Sequence, residues 1–282
     1  MTTRSKKSSL WSNRAFRSSS IPDLMDDTCL VALCQRWQLE PDGEMISGAG
    51  GAVLPVRRNG DLLILKIAAP EEAGAGADLM EWWAGDGAVR VIARDGDAIL
   101  MDRAGEPLLD TDLSDDQAIQ IVARVASRLH RPGRPAPPSL VPLGRWFAVL
   151  TEAGDPAAST LEALLAEAHP QLPLHGDLHH GNILRQADDW VAIDPKGLLG
   201  DRTADFAVFL LNPDAADERR FIARDPRRLP DRIGRLAGAA DLDPDRLRRW
   251  VHVAASASAL WHLQDGGDPT VARTLASLTA DV

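Results

Sequence analysis

Long apolar runs and cysteines are both scarce in this sequence. No run of eighteen apolar residues occurs and no secretory apolar core precedes residue 28, whereas a transmembrane helix needs about 20 such residues. We therefore expect a cytoplasmic protein with no membrane partner. The only cysteines, Cys29 and Cys34, lie five residues apart in a helix predicted over residues 27–38. Because residues at that spacing face each other poorly on a helix, we predict that both thiols are reduced and buried.

Lysine is also scarce outside the N-terminal tail. Lys66 and Lys196 are the only lysines after Lys7, although 31 residues of the chain are Lys or Arg. Arginine therefore replaces lysine wherever a positive charge suffices, and a retained lysine is a candidate for a specific role. The P-loop pattern G-x-x-x-x-G-K-[ST] does not occur anywhere in the sequence.

The charge is unevenly distributed along the chain. The formal net charge is −10, and residues 1–22 contain five of the 31 basic residues but none of the 41 acidic ones, so residues 23–282 carry −15. An acidic body would repel a nucleic-acid backbone and attract a cationic small molecule. We predict a small cationic substrate and no nucleic-acid partner, and the sequence does not indicate any protein partner. Residues 1–22 are predicted to be a disordered basic tail rather than a transit peptide.

Residues 174–196 are the most informative segment. Asp177 and Asn182 lie five residues apart after a short predicted strand, and Asp194 follows Asn182 by twelve residues, after a second apolar strand. A hairpin between these strands would bring Asp194 back beside Asn182. Oxygen ligands suit Mg²⁺, and a free carboxylate can accept a hydroxyl proton. The spacing predicts phosphoryl transfer from ATP to an alcohol, with Asp177 as the base and Asn182 and Asp194 as the Mg²⁺ ligands.

The same segment contains three histidines, for which two different roles can be considered. His175 is expected to order the loop through hydrogen bonds. The pair His179-His180 suggests a zinc site, but no Cys, His or Glu set with ligand spacing surrounds it.

Lys66 is predicted to lie inside an apolar strand, Leu62–Ala68. An unpaired ammonium would be costly there, so Lys66 matches the kinase lysine that holds the α- and β-phosphates of ATP. A lysine that extends from a strand edge into solvent is the alternative. Lys196 could contact a phosphate or the substrate, or it could form a structural ion pair.

A glycine-rich turn precedes the lysine strand and contains Gly48, Gly50 and Gly51. It matches G-x-G-x-x-G incompletely, because Val53 occupies the last position. Backbone N–H groups of such a turn can lie over phosphates, although an ordinary turn between strands explains the glycines equally well. Asn59-Gly60 is a strong hairpin signal, so we predict a three-stranded meander over residues 44–68.

In a protein kinase, a helix after the lysine strand supplies a glutamate that pairs with the lysine. A helix is predicted over residues 79–83, and the candidate partners of Lys66 are Glu72, Asp78 and Glu81. Two strands, at 89–92 and 98–101, are predicted on either side of a turn at 94–97. The chain would then connect two lobes at 101–104, where Met101 and Arg103 would lie at the adenine edge of the nucleotide.

Helices dominate after residue 104. Ser114 and Gln117 form a capping box before a helix whose apolar face is Ala118, Ile121, Val122, Val125 and Leu129. Five prolines make residues 131–143 an extended connector, and Ser159 or Thr160 would cap a helix over 161–169. Further helices are predicted over residues 202–211, 216–223, 229–239, 244–264 and 268–280.

This order of elements predicts an α+β, two-lobed, protein-kinase-like fold. A small antiparallel-sheet N-lobe over residues 23–103 would bind the nucleotide. A larger, mainly helical C-lobe over residues 104–282 would carry the catalytic and acceptor-binding residues.

Residues 174–184 and 193–201 resemble the two hallmark segments of the aminoglycoside phosphotransferase superfamily. Within it, Ile193–Lys196, residues 82–90, Trp261 and Asp265 resemble the group of aminoglycoside 6-phosphotransferases (streptomycin 6-kinases) and hydroxyurea resistance kinases. The resemblance implies ATP- and Mg²⁺-dependent transfer of the γ-phosphoryl group to the 6-hydroxyl of streptomycin, and hence antibiotic resistance. It implies the same roles for Asp177, Asn182, Asp194 and Lys66 as above. One departure is Gly76, which stands where the helix glutamate that pairs with the lysine is expected.

Streptomycin carries two guanidinium groups, which would seek paired carboxylates. The candidate carboxylates are Asp201, Asp205, Asp265 and Asp268, and Trp261 could stack on a planar cation; ordinary solvated acids at helix ends are the alternative. The same machinery could instead phosphorylate a sugar, an amino alcohol or another aminoglycoside. A non-enzymatic nucleotide-binding regulator is disfavoured, because the base, both metal ligands and the lysine are all present.

Overall fold

The computed structural model describes residues 27–48, 51–69, 74–131, 133–214 and 222–280. An antiparallel sheet forms the first part of this structure and helices form most of the remainder, which confirms the predicted α+β class with a sheet-containing N-lobe and a helical C-lobe. The predicted basic tail, residues 1–22, lies outside the described residues. The lobe boundary at residue 103 stays a prediction.

The strands of the N-lobe sheet are β1 (Glu40–Pro41), β2 (Ile46–Gly48), β3 (Gly51–Arg58), β4 (Asp61–Ala68), β5 (Val91–Asp95) and β6 (Ala98–Asp102). Their order in the sheet is β1-β3-β4-β6-β5, and β2 also pairs with β3. The meander predicted over residues 44–68 is confirmed, and Asn59 and Gly60 form its two-residue turn with φ angles of 52° and 92°. The turn predicted at 94–97 is shorter, because Arg94 and Asp95 continue β5 and pair with β6.

The sheet separates two packing environments. Alternate residues of β4 point to opposite faces: Leu63 and Leu65 pack with helix α1 (Asp27–Trp37) on the outer face, whereas Ile64 and Lys66 face the other way. Cys34 on α1 is half-buried rather than buried, so its predicted burial is wrong, and partial burial raises its thiol pKa. The side chain of Cys29 lies outside the described residues.

Helix α2 (Ala75–Trp83) follows β4 and precedes β5 in the chain. The helices after β6 build the C-lobe. These are α3 (Asp115–Leu129), α4 (Leu143–Trp146), α5 (Ala148–Glu152), α6 (Ala157–Ala166), α7 (Thr203–Leu210), α8 (Leu229–Ala240), α9 (Pro244–Gln264) and α10 (Thr270–Thr279). The predicted apolar face of α3 is buried. Helix α9 contributes the fully buried Trp250 to the C-lobe core.

Two helix starts differ in how well the sequence predicted them. The capping box of α3 is confirmed, with the Gln117 N–H donating to Ser114 Oγ at 3.3 Å and the Ser114 N–H donating to Gln117 Oε1 at 2.9 Å. The predicted cap of α6 at Ser159 or Thr160 is wrong. Helix α6 begins earlier because Asp155 Oδ1 accepts the Ala157 N–H at 2.9 Å.

The other predicted elements fall partly outside the described residues. The helices predicted from residue 202, from 229, from 244 and from 268 are all present. Of the helix predicted over 216–223, residues 215–221 lie outside the described part, and Ile222–Arg224 forms a 3₁₀ turn. Within the ranges that the structure covers, no helix has both the length and the apolar character to cross a membrane.

Short strands of the C-lobe position the central loop. Strands β7 (Val141–Pro142), β8 (Leu172–Leu174) and β11 (Leu198–Gly200) form a small sheet with β11 in the middle. Strands β9 (Ile183–Gln186) and β10 (Asp189–Ala192) form an antiparallel hairpin. The loop between β8 and β9 contains Asp177 and Asn182.

Candidate active site

Asp205 of α7 holds the start of the loop that follows β8. Its carboxylate, buried in the core, accepts the backbone N–H of His175 at 2.9 Å and that of Gly176 at 2.7 Å, and it lies 2.8 Å from His130 Nε2. Burial alone would raise the pKa of Asp205, but these hydrogen bonds and the nearby histidines outweigh it and lower the pKa. Asp205 therefore positions the loop, and the prediction that it is free to bind a substrate guanidinium is wrong.

His175 joins the loop to the hairpin. Its Nδ1 accepts the Asp177 N–H at 3.1 Å, and its Nε2 lies 2.9 Å from the Ile193 carbonyl. Burial lowers the pKa of His175, with partial compensation from Asp205 and Asp177. A neutral imidazole with its proton on Nε2 satisfies both contacts, so the predicted ordering role of His175 is confirmed.

Asp177 presents one free carboxylate oxygen. The residue as a whole is 2% exposed, and its Oδ2 accepts a hydrogen bond from Asn182 Nδ2 at 3.2 Å. The same Nδ2 donates to the Asp177 carbonyl at 2.9 Å. Among the described residues, Oδ1 of Asp177 has no hydrogen-bond partner although it is buried. A buried acceptor of this kind is suited to take a hydrogen bond or a proton from a bound molecule.

The β9–β10 hairpin returns the chain to Asn182, as the sequence predicted. The Ile193 N–H donates to the Asn182 carbonyl at 2.9 Å, and Asp194 follows with a φ of 64°. Because the Asn182 amide nitrogen is directed at Asp177, its amide oxygen is the atom left for a cation. A carboxylate and an amide oxygen are ligands that Mg²⁺ accepts, so the residues present fit the predicted metal.

Lys66 forms an ion pair with Asp194, and the two side chains are 14% and 40% exposed. Burial would raise the pKa of Asp194, but the charges of Lys66 and Lys196 outweigh this effect and lower the pKa to about 2. The carboxylate is therefore ionised at neutral pH. Two of the predicted acidic partners of Lys66 are wrong: Asp78 bonds to Arg94 and Ser139, and Glu81 bonds to Arg94. Glu72 lies outside the described residues.

Two glycines bring helix α2 onto the Asp194 loop. A Cβ atom on Gly76 would lie 2.2 Å from the Pro195 carbonyl oxygen, and one on Gly197 would lie 2.5 Å from the Ala75 carbonyl. Real Cβ contacts are never that short, so only glycine fits at either position without a backbone shift. The contact explains why Gly76 occupies the helix position at which a glutamate was expected: there is no room for a side chain.

An apolar cluster between the sheet and the hairpin lies next to this ion pair. Met101 is buried in it together with Val191, and Ile64 and Ile193 are half-buried against it. Ile64 and Ile193 were not among the residues predicted for the site, although Ile64 is two residues from Lys66 on the same face of β4 and Ile193 directly precedes Asp194. Their positions close to Lys66 and Asp194 in the sequence are the signal that could have indicated these two isoleucines.

The other residues that were predicted to bind the nucleotide are Arg103 and the glycines of the β2–β3 turn. Arg103 Nη1 donates to Asp42 at 2.6 Å, and its backbone N–H donates to the Leu62 carbonyl at 3.2 Å. Gly48 and Gly51 border the β2–β3 turn, and Gly50 lies outside the described residues. Gly51 has a φ of 119°, and a Cβ there would lie 2.0 Å from the Ile67 carbonyl oxygen, so this position requires glycine.

The predicted substrate residues lie directly after β11 and at or beyond the C-terminal end of α9. Asp201 is 6% exposed and accepts hydrogen bonds from Arg246 Nε and Trp250 Nε1, each at 2.6 Å. This placement argues against Asp201 as a ligand for an external cation. Trp261 packs in the core with its ring 6.2 Å from that of Phe147. Half-buried Asp265 ends α9, and Asp268 Oδ1 accepts the Thr270 N–H at 2.9 Å.

The zinc interpretation of His179 and His180 finds no support in the part of the chain that the structure describes. No three His, Cys, Asp or Glu side chains there are arranged to hold a metal ion. His180 instead stacks on Phe209 with the ring centroids 4.1 Å apart.

A loop aspartate with a free oxygen, a neighbouring Asn and Asp, and a lysine on a strand of the N-lobe are features of the phosphotransferases of the protein-kinase-like fold. The chain matches the family described as "Aminoglycoside/hydroxyurea antibiotic resistance kinase" over residues 36–266. It belongs to that family and is a phosphotransferase.

Similar proteins agree with this assignment. The chain is 41% identical to a streptomycin 3''-kinase of Klebsiella pneumoniae, over 82% of this chain and 91% of that protein. It is 33% identical to a streptomycin 6-kinase of Streptomyces griseus, over 84% and 83% of the two chains. Amicoumacin kinase hAmiN, solved with AMP-PNP, Ca²⁺ and Ami, has the same fold, with a TM-score of 0.64 at 13% identity over 92% of this chain and 95% of that one.

Proposed function

We propose that this protein transfers the γ-phosphoryl group of ATP, with Mg²⁺, to a hydroxyl group of an aminoglycoside, and that this group is the 6-hydroxyl of streptomycin. The observation that carries the reaction type is the buried, unpartnered Oδ1 of Asp177 beside Asn182. The relatives named for streptomycin phosphorylation and the formal charge of −15 on residues 23–282 support a cationic acceptor.

Each side chain of the site would have a defined role in the transfer. The acceptor hydroxyl oxygen attacks the γ-phosphorus, the bond from that phosphorus to the β–γ bridging oxygen breaks, and ADP leaves with the bond electrons. Asp177 Oδ1 accepts the hydroxyl proton. Lys66 would hold the α- and β-phosphates, and the amide oxygen of Asn182 and the carboxylate of Asp194 would hold Mg²⁺. When bound, Mg²⁺ neutralises phosphate charge.

The half-buried side chains of the apolar cluster between the N-lobe sheet and the β9–β10 hairpin would receive the adenine. Ile64 and Ile193 are the half-buried members nearest in sequence to Lys66 and Asp194. Partly exposed aliphatic side chains beside a phosphate-binding lysine provide a surface on which a planar base can pack. Gly48, Gly50 and Gly51 would lie over the phosphates, and the chain at Met101–Arg103 would face the adenine edge.

The position of phosphorylation is the finer part of the proposal. The relatives differ in it, since one is named a 3''-kinase and another a 6-kinase. Mass spectrometry and two-dimensional ¹H–³¹P NMR of the product would assign the phosphate. Coupling of the phosphorus to the 6-proton of the streptidine ring is the expected result, and coupling to the 3''-proton would move the proposal to the other hydroxyl.

The reaction is tested by ADP release from Mg²⁺-ATP across streptomycin, other aminoglycosides and simple sugars, with EDTA as the metal-free control. Turnover with streptomycin supports the full proposal, and turnover with another alcohol keeps the kinase but changes the acceptor. ATP binding without turnover on any acceptor would favour a nucleotide-binding regulator. Asp177→Ala should reduce turnover by at least about a thousandfold while ATP affinity stays within a few-fold; strong residual turnover would refute the role of Asp177 as base.

A further inference from the structure

His179 approaches the free oxygen of Asp177. The two side chains are 7% and 3% exposed, and His179 Nε2 lies 3.5 Å from Asp177 Oδ1. This separation is longer than a normal hydrogen bond, and contacts at catalytic sites are often long before substrate binds. Oδ1 has no hydrogen-bond partner among the described residues, and His179 Nε2 is a polar group within 4 Å of it.

The local hydrogen bonds fix which ring nitrogen of His179 carries the proton. Its Nδ1 accepts the Gly181 N–H at 3.0 Å. A ring nitrogen that accepts a hydrogen bond carries no proton, so the imidazole is neutral and its proton is on Nε2. The ring is also held against the loop, since a Cβ atom on Gly181 would lie 2.9 Å from His179 Cε1. The nitrogen that carries this proton is the one that lies 3.5 Å from Asp177 Oδ1.

We propose that His179 is a positioning residue of the phosphoryl transfer, whose Nε2–H donates to Asp177 Oδ1 and keeps that oxygen directed at the acceptor hydroxyl. Asn182 holds Oδ2 from one side and His179 holds Oδ1 from the other, so the carboxylate cannot rotate freely about its Cβ–Cγ bond. Orientation of the base then needs no contribution from the substrate. This inference rests on the proposed role of Asp177 as base.

Two substitutions at His179 separate this role from a structural one. His179→Asn keeps an acceptor for the Gly181 N–H, as in an Asx turn, but its amide is too short to donate to Asp177. His179→Gln places an N–H near the former Nε2 and loses the turn acceptor. If His179 positions the base, kcat falls at least about tenfold in the Asn variant and stays within about threefold in the Gln variant, with the KM for ATP unchanged in both.

The opposite ranking, with the Asn variant active and the Gln variant impaired, would show that His179 only stabilises the turn and would overturn the inference. Equal activity of both variants would overturn it as well. His169→Asn and His169→Gln are the matched controls, because the His169 side chain is 39% exposed; both should retain wild-type kcat.

A measurement that needs no turnover completes the test. In long-range ¹H–¹⁵N spectra of the full-length protein, His179 should show a protonated Nε2 and an unprotonated Nδ1, and Asp177→Asn should shift the Nε2 proton resonance. A protonated Nδ1 would refute the inference. If the spectra agree while Asp177→Asn keeps full turnover, the proposed role of Asp177 fails and the His179 contact itself stands.

Discussion

Replacing Asp205 by asparagine removes one charge and one acceptor beneath the catalytic loop. Asp205 Oδ2 accepts the His175 N–H and contacts His130, and Oδ1 accepts the Gly176 N–H. An amide has one acceptor oxygen, so whichever way it turns, its NH₂ group faces one of the two backbone N–H donors. That N–H loses its partner inside the core.

The expected loss of stability follows from these contacts. A buried N–H without a partner costs about 1–3 kcal/mol, and each hydrogen bond that changes from a charged to a neutral acceptor weakens by roughly 1 kcal/mol. The smaller desolvation cost of an amide offsets part of this loss. We expect Asp205→Asn to lower the free energy of unfolding by about 2–4 kcal/mol, a large part of the 5–15 kcal/mol typical of a protein domain.

Urea unfolding followed by tryptophan fluorescence measures this change, and ADP release measures its effect on the site. Because His175 and Gly176 directly precede Asp177, kcat should fall at least about tenfold at temperatures where the variant is folded. Asp112→Asn is the matched control, since Asp112 is exposed. An Asp205→Asn protein that loses less than about 1 kcal/mol and keeps its kcat would refute the assignment of Asp205 as the support of the loop.

Two further predictions concern packing and pH. Gly76→Ala should lower the free energy of unfolding by about 1–3 kcal/mol and raise the KM for ATP, because its Cβ would lie 2.2 Å from the Pro195 carbonyl oxygen. Gly238→Ala, in α8, is the control: its Cβ atom would have no neighbour within 4 Å, so this substitution should raise the free energy of unfolding by about 0.5–1 kcal/mol. If both substitutions, or neither of them, destabilise the protein, the packing argument is contradicted. Burial lowers the pKa of His175, His179 and His180 from 6.5, so the unfolded chain binds more protons below about pH 6.5. The free energy of unfolding should therefore fall as the pH drops from 7.5 to 5.5, by up to about 1.4 kcal/mol per pH unit for each histidine; a flat urea midpoint over this range would contradict it.

The sequence alone predicted those features of the structure that are stabilised by residues close together in the chain. The Asn59-Gly60 turn, the Ser114–Gln117 capping box and the β9–β10 hairpin each depend on residues close together in the chain, and all three are present. The spacing of Asp177, Asn182 and Asp194 belongs to this class, because one loop and one hairpin place all three residues.

Which residues far apart in the sequence contact each other was known only from the tertiary structure. The sequence predicted that Lys66 is a buried, phosphate-binding lysine, but it did not indicate Asp194 as its partner, 128 residues away. It also grouped Asp201 and Asp205 with possible substrate ligands, whereas folding places Asp201 against Arg246 and Asp205 under His175. A carboxylate in a sequence has no intrinsic role. Its role is set by whether folding buries it and by which donors then surround it, since a buried charge must be paired. Those donors come from helices and strands that only the complete fold brings together.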